Sequence, residues 1–166
     1  MRICGYRLRD HVRLLAPLFG FIIAVWLCRL ILGAFGPSFA RYFTVTGADA
    51  LSVMLAAVMI HTRKFGSYPN VVVSSVLLVT FGQILIVLAI VFAVLTGTSN
   101  IFVAPQYSFP REDVNHVKHI LGQLTYGIGA GILFGAAMGC LLLWILRMLV
   151  PPSSQDGRLR SGGYPG

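Results

Sequence analysis

The stretch "YGIGAGILFGAAMG", residues 126–139, carries glycine at 127, 131, 135 and 139, with one more at 129. In a helix interior each glycine is about 1 kcal/mol worse than alanine. A ladder of the poorest ordinary helix former inside an apolar segment therefore needs a compensating gain. Lipid supplies one, because no hydrophobic force drives helix against helix there and close backbone approach is what gains contact. Small residues at every fourth position open a groove for that approach. Gly127, Gly131, Gly135 and Gly139 are thus expected to form a helix-packing face, a glycine zipper, either inside a bundle or between protomers. Ala48, Ser52 and Ala56 form a series of the same period on an earlier segment and are the expected counterpart.

The composition fits a lipid setting. Of 166 residues 57% are hydrophobic and 11% charged, with a mean hydropathy of +0.82. Soluble domains carry roughly 25% charged residues. The apolar residues fall in four blocks, at about 14–35, 39–60 (or from 43), 71–95 and 120–150. Each is long enough for the roughly 18–20 residues that cross a bilayer. Gly36-Pro37 and Pro151-Pro152 close the first and last blocks, and Pro69-Asn70 opens the third. Pro17 would fall in the first turn of its helix, where a missing N–H does least harm. The expected fold is an all-α membrane protein, a four-helix transmembrane bundle over residues 1–150 with an outer loop at 96–119. The Pro, Gly and Ser-rich stretch 151–166 reads as a disordered tail.

Basic residues set the orientation. With the N-terminus inside, Arg2, Arg7, Arg9, Arg13, Arg63, Lys64, Arg147, Arg158 and Arg160 lie on the cytoplasmic side. Arg41, Arg111 and Lys118 lie opposite, and Arg29 falls within a helix. That bias satisfies the positive-inside rule with both termini cytoplasmic. The net charge of +8 then reflects topology and attraction to anionic lipid, with no nucleic-acid partner implied. The start of the chain also resembles a cleavable signal peptide. The apolar run resumes after Arg29 as "LILGAF", which makes it long enough to span and favours an uncleaved helix. The expected location is the inner (plasma) membrane.

Arg29 and Asp49 are charges in the wrong solvent, each costing about 2.5–3.5 kcal/mol at mid-helix. Both fall roughly 9 Å below the outer boundary at 1.5 Å per residue, so an intramembrane ion pair between neighbouring helices is expected. The alternative makes Asp49 a proton or cation site flanked by Thr46 and Ser52. Gln83, Gln123 and Thr125 read as interhelical hydrogen-bonding groups. In the outer loop, Glu112, His116 and His119 stand at i, i+4 and i+7, one face of a helix, and are of types that Zn or Fe accepts. They cannot complete a tetrahedron alone. The plainer reading is a solvated lead-in to the last helix, with no cofactor.

Cys4, Cys28 and Cys140 make no disulfide framework, and no nucleophile elbow, Walker loop or Cys-x-x-Cys occurs. The expectation is a non-catalytic polytopic protein, an accessory or assembly subunit or a self-associating module, forming a homo-oligomer or part of a larger membrane complex. The alternatives are a small oligomeric ion- or proton-coupled transporter or channel using Asp49, and a metal-binding membrane subunit.

Overall fold

The computed structural model describes residues 2–3, 5–35, 42–104 and 116–149. Four helices within them are long and apolar enough to cross a membrane: α1 (Leu8–Phe35), α2 (Val45–Thr62), α3 (Tyr68–Thr96) and α4 (Val117–Leu149). A short antiparallel hairpin, β1 (Arg2–Ile3) with β2 (Tyr6–Arg7), precedes them, and Gly5 turns it at φ +90°. The chain forms an all-α bundle, as composition and block length imply. The tail 151–166, expected to be disordered, lies outside the described residues.

Several boundaries differ from expectation for local reasons. Helix α1 starts at Leu8, six residues ahead of the apolar block. The Asp10 carboxylate accepts the Arg7 backbone N–H at 3.0 Å, half of a capping box, and starts the helix within the basic segment. Pro17 consequently sits in the helix interior, where it removes one i→i−4 hydrogen bond. Helix α2 starts at Val45 because Thr44 caps it, its Oγ1 accepting Gly47 N–H at 3.1 Å. Helix α3 takes Pro69 into its first turn and ends at Gly97, whose left-handed φ of +67° stops it. Helix α4 begins at Val117, and a π-helical turn over Gln123–Gly127 separates its first segment, Val117–Gly122, from Ile128–Leu149.

Helices α2 and α3 are central. Each packs on the other and on both α1 and α4, whereas α1 packs chiefly on α2 and α3. The main core cluster accordingly joins Leu15, Leu18 and Ile22 of α1, Val45 and Val53 of α2, and Leu78, Ile86 and Ile90 of α3. Polar residues concentrate on the two central helices: Asp49, Ser52, Asn70, Ser74, Ser75 and Gln83 are buried. Large apolar side chains instead face outward, among them Phe92, Leu133, Phe134, Trp144 and Met148.

The ladder of α4 faces α3 in a fixed antiparallel register. A Cβ on Gly127 would come within 2.8 Å of the Gln83 side chain, and one on Gly131 within 2.7 Å of Val79. One on Gly135 would lie 2.7 Å from the Ser75 Oγ, and one on Gly139 would lie 2.7 Å from Val71. The partners 83, 79, 75 and 71 step backward by four as the glycines step forward by four. Helix α2 packs on α4 as extensively as α3 does and reaches the ladder through Val53, 3.4 Å from a Cβ on Gly135 and 3.1 Å from one on Gly139. A residue with a larger side chain than Ala or Ser fills the groove between two helices more completely. The Ser75 hydroxyl also donates to the Ile132 carbonyl across the contact, at 3.2 Å. Gly129 meets nothing within 4 Å and belongs to the outer face.

These contacts predict opposite effects for neighbouring glycines. Gly139→Leu should lower the melting temperature in detergent sharply, because Val71 and Val53 both stand in the way. Gly129→Ala should leave it unchanged or raise it, gaining up to about 1 kcal/mol of helix propensity. Similar melting temperatures for the two variants would show that the ladder is not a close contact.

Candidate functional site

The site grows from the place where α2 meets α3 beside the ladder. Asp49 is 2% exposed and Gln83 2% exposed. Gly82 makes this approach possible, since a Cβ there would overlap the Asp49 carboxylate. Gln83 Nε2 donates to Asp49 Oδ2 at 3.5 Å, the long limit of a hydrogen bond. Asp49 Oδ1, Ser52 Oγ and Gln83 Oε1 are buried without a hydrogen-bond partner among the described residues. Leaving a buried polar group unsatisfied costs about 1–3 kcal/mol. Three such oxygens, on one turn of α2 and the facing turn of α3, mark a polar pocket in an otherwise apolar core.

The contacts of Asp49 and Arg29 run to different neighbours. The Arg29 guanidinium lies over the Phe102 ring, 5.0 Å from its centroid, whereas Asp49 is held against Gln83 and Gly82. Phe102 belongs to the segment after α3, where Asn100 binds the Ala89 carbonyl at 2.8 Å and the Phe102 N–H at 2.9 Å. That segment fills the end of the bundle and gives the cation an aromatic face.

The polar line continues on α4. Gln83 and Gln123 both point an Oε1 at the bare Cα of Gly127, each 2.8 Å from where a Cβ would stand. Gln123 Nε2 meets His119 Nε2 at 3.3 Å. His119 is buried, and its ring centroid is 6.5 Å from that of His116. His116 lines a cavity of about 400 Å³ together with Gly97, Thr98, Ser99 and Val103. The π-helical turn falls between Gln123 and Gly127, where Ile128 N–H reaches the Gln123 carbonyl, and such turns often occur at functional sites.

Of the proposed metal ligands, Glu112 lies outside the described residues. His116 is the N-cap of α4, in a left-handed conformation at φ +53°, and its ring centroid stands 6.5 Å from that of His119. No group of three or more His, Cys, Asp or Glu able to hold a metal occurs among the described residues.

A second polar cluster, which spacing alone did not reveal, closes the opposite end. The imidazole of His11 is fully buried and its Nε2 meets Asn70 Oδ1 at 2.9 Å. Phe65 packs edge-on to His11 and stacks on Tyr6 of the hairpin. Arg147 of α4 donates to the Gly66 carbonyl at 3.3 Å and lies over the Tyr68 ring. Gly66, at φ +82°, leaves room for the Asn70 amide. Asn70 follows Pro69 at the start of α3, and His11 lies in the first turns of α1. Their partnership is long-range and has no local spacing.

Gln83→Leu should cost about 1–3 kcal/mol in detergent melts, since it deprives Asp49 of its amide partner. In a double-mutant cycle, Arg29→Leu and Asp49→Asn should be additive because their contacts differ. A large coupling energy would instead establish the ion pair. No family model, curated protein or solved structure matches this chain, so its function is argued from geometry.

Proposed function

We propose that the chain is a multi-pass inner-membrane protein of non-catalytic type, an accessory or assembly subunit or a self-associating module, with both termini in the cytoplasm. The observation that carries this is the apolar outer surface of the bundle. Polar side chains are gathered on α2 and α3, while Leu133 is 74% and Phe134 61% exposed on α4. Such a surface suits lipid or a partner helix and would aggregate in water. The clustering of Arg7, Arg63, Lys64 and Arg147 at the His11 end supports the orientation, with Arg147 bonded directly to the α2–α3 turn. The lipid bilayer and further copies or other membrane subunits are the proposed partners.

A second reading, an oligomeric ion- or proton-coupled transporter, is favoured by one feature. Asp49 is buried with one carboxylate oxygen lacking a hydrogen bond. Intramembrane acids commonly mark ion and proton routes.

Two measurements test these proposals. In a background with Cys4, Cys28 and Cys140 replaced by serine, a cysteine at Ser67 should be labelled only from the cytoplasm and one at Ala104 only from outside. Labelling of both from one side would overturn the four-span topology. Native mass spectrometry from lipid nanodiscs should find the chain in a homo-oligomer or with a stoichiometric partner. A monomer alone would remove the accessory reading.

A further inference from the structure

We propose that the apolar cavity between α1 and α3 holds one phospholipid, with an acyl chain against Trp26 and Leu88 and the phosphate at a rim formed by Thr98, Ser99 and His116. The inference rests on the membrane reading above and adds to it a fixed lipid site that does not involve Asp49.

The fold frames this space of about 720 Å³. Its walls are Trp26 and Leu30 of α1 and Leu88, Phe92 and Leu95 of α3. Toward the hairpin end, Phe19 and Phe81 join the two helices edge to face, with ring centroids 4.9 Å apart. At the other end the segment after α3 turns back over the cavity. Asn100 ties it down, donating to the Ala89 carbonyl at 2.8 Å and accepting the Phe102 N–H at 2.9 Å. Ile101 is buried against Gly33 of α1, where an added Cβ would come within 2.8 Å of it. The two helices are thus joined on either side of a space that they do not fill.

Polarity and depth decide the occupant. From Leu88 to Leu95 the wall climbs about 10 Å toward the C-terminal end of α3, which sets the cavity among acyl chains just below one membrane face. Apolar cavities stay dry, whereas an acyl chain gains dispersion contact with such walls. Hydroxyl groups are confined to one end. Thr98 and Ser99 line both this cavity and the smaller one, of about 400 Å³, that His116 lines. His116 Nδ1 is buried with no hydrogen-bond partner among the described residues, and Lys118 is exposed two residues further on. Hydroxyl, imidazole and ammonium groups are donors that phosphate oxygens accept. A phospholipid matches this slot, being apolar along its chains and anionic at one end. A partner helix, apolar along its whole length, would leave the rim with nothing to bind.

The test uses the full-length protein, taken in mild detergent from nanodiscs of phosphatidylcholine and phosphatidylglycerol into native mass spectrometry. The unmodified chain should retain one phospholipid per copy. Leu88→Trp fills the cavity from a wall position that is 54% exposed, and should lose the lipid. Leu133→Trp, the same change on the outer face of α4, should keep it. A rim variant combining Thr98→Val, Ser99→Ala and His116→Asn should hold the lipid roughly tenfold more weakly, a difference of about 1.4 kcal/mol. Asparagine suits position 116 because it tolerates the left-handed backbone there. Should Leu88→Trp fail to fold, the rim variant decides the matter. Equal retention in the unmodified chain and in both cavity variants would overturn the site, leaving boundary lipid only. Dimers that carry no lipid would overturn it in favour of a second copy. Either result leaves the membrane reading standing, which would fall if the chain stayed soluble without detergent.

Discussion

The close approach of α4 to α3 is the constraint on which the remaining geometry depends. Four glycines on one helix lie against residues 71, 75, 79 and 83 on the other, and bulk on α3 fills what is missing on α4. Contact of this kind gains dispersion and, at Ser75, a hydrogen bond to the backbone carbonyl of Ile132. It also fixes register. A slip by one ladder step, about 6 Å along the axis, would carry Gln83 away from Gly127 and seat it against a neighbour meant for valine. The position of Gln83, and through it the partner of Asp49, follows from this single interface.

Burial of polar groups on α2 and α3 is the second consequence. Helices that touch all the others are the places where a polar side chain is enclosed by the bundle, and Asp49, Ser52, Ser75 and Gln83 all occupy them. Enclosure does not by itself satisfy them. Ser74 returns its hydroxyl to the Asn70 carbonyl at 2.8 Å, a local solution, whereas Asp49 and Gln83 share one long hydrogen bond and retain spare acceptors. In a low-dielectric core such acceptors cost stability that ordinary packing residues would not.

The two ends of the bundle are built differently. At the hairpin end, Tyr6, His11, Phe65, Asn70 and Arg147 interlock through rings and hydrogen bonds drawn from α1, α2, α3 and α4 or their connections. At the other end lie two cavities, one of about 400 Å³ at His116 and one of about 720 Å³ lined by Trp26, Leu30, Leu88 and Phe92.

By itself the sequence determined the class of the molecule and the count of its long helices. Lipid imposes a length requirement that composition alone can meet, and four apolar blocks met it. It also singled out Asp49, Gln83 and the four glycines, because charged, amide and glycine residues stand out against an apolar background. Helix starts were less legible: capping by Asp10 and Thr44 depends on one hydrogen bond each, and moved boundaries by several residues. Which helix faces the ladder was decided only in three dimensions. Where the surroundings are as apolar as the core, hydrophobic residues run round every side of a helix, and the periodicity that reveals the inner face of a soluble helix is absent. Val71, Ser75, Val79 and Gln83 meet the four glycines, and shape complementarity between distant segments has no signature in either segment alone. The same holds for His11 with Asn70 and for Asp49 with Gln83, whose distances across the bundle are set by packing and not by spacing along the chain.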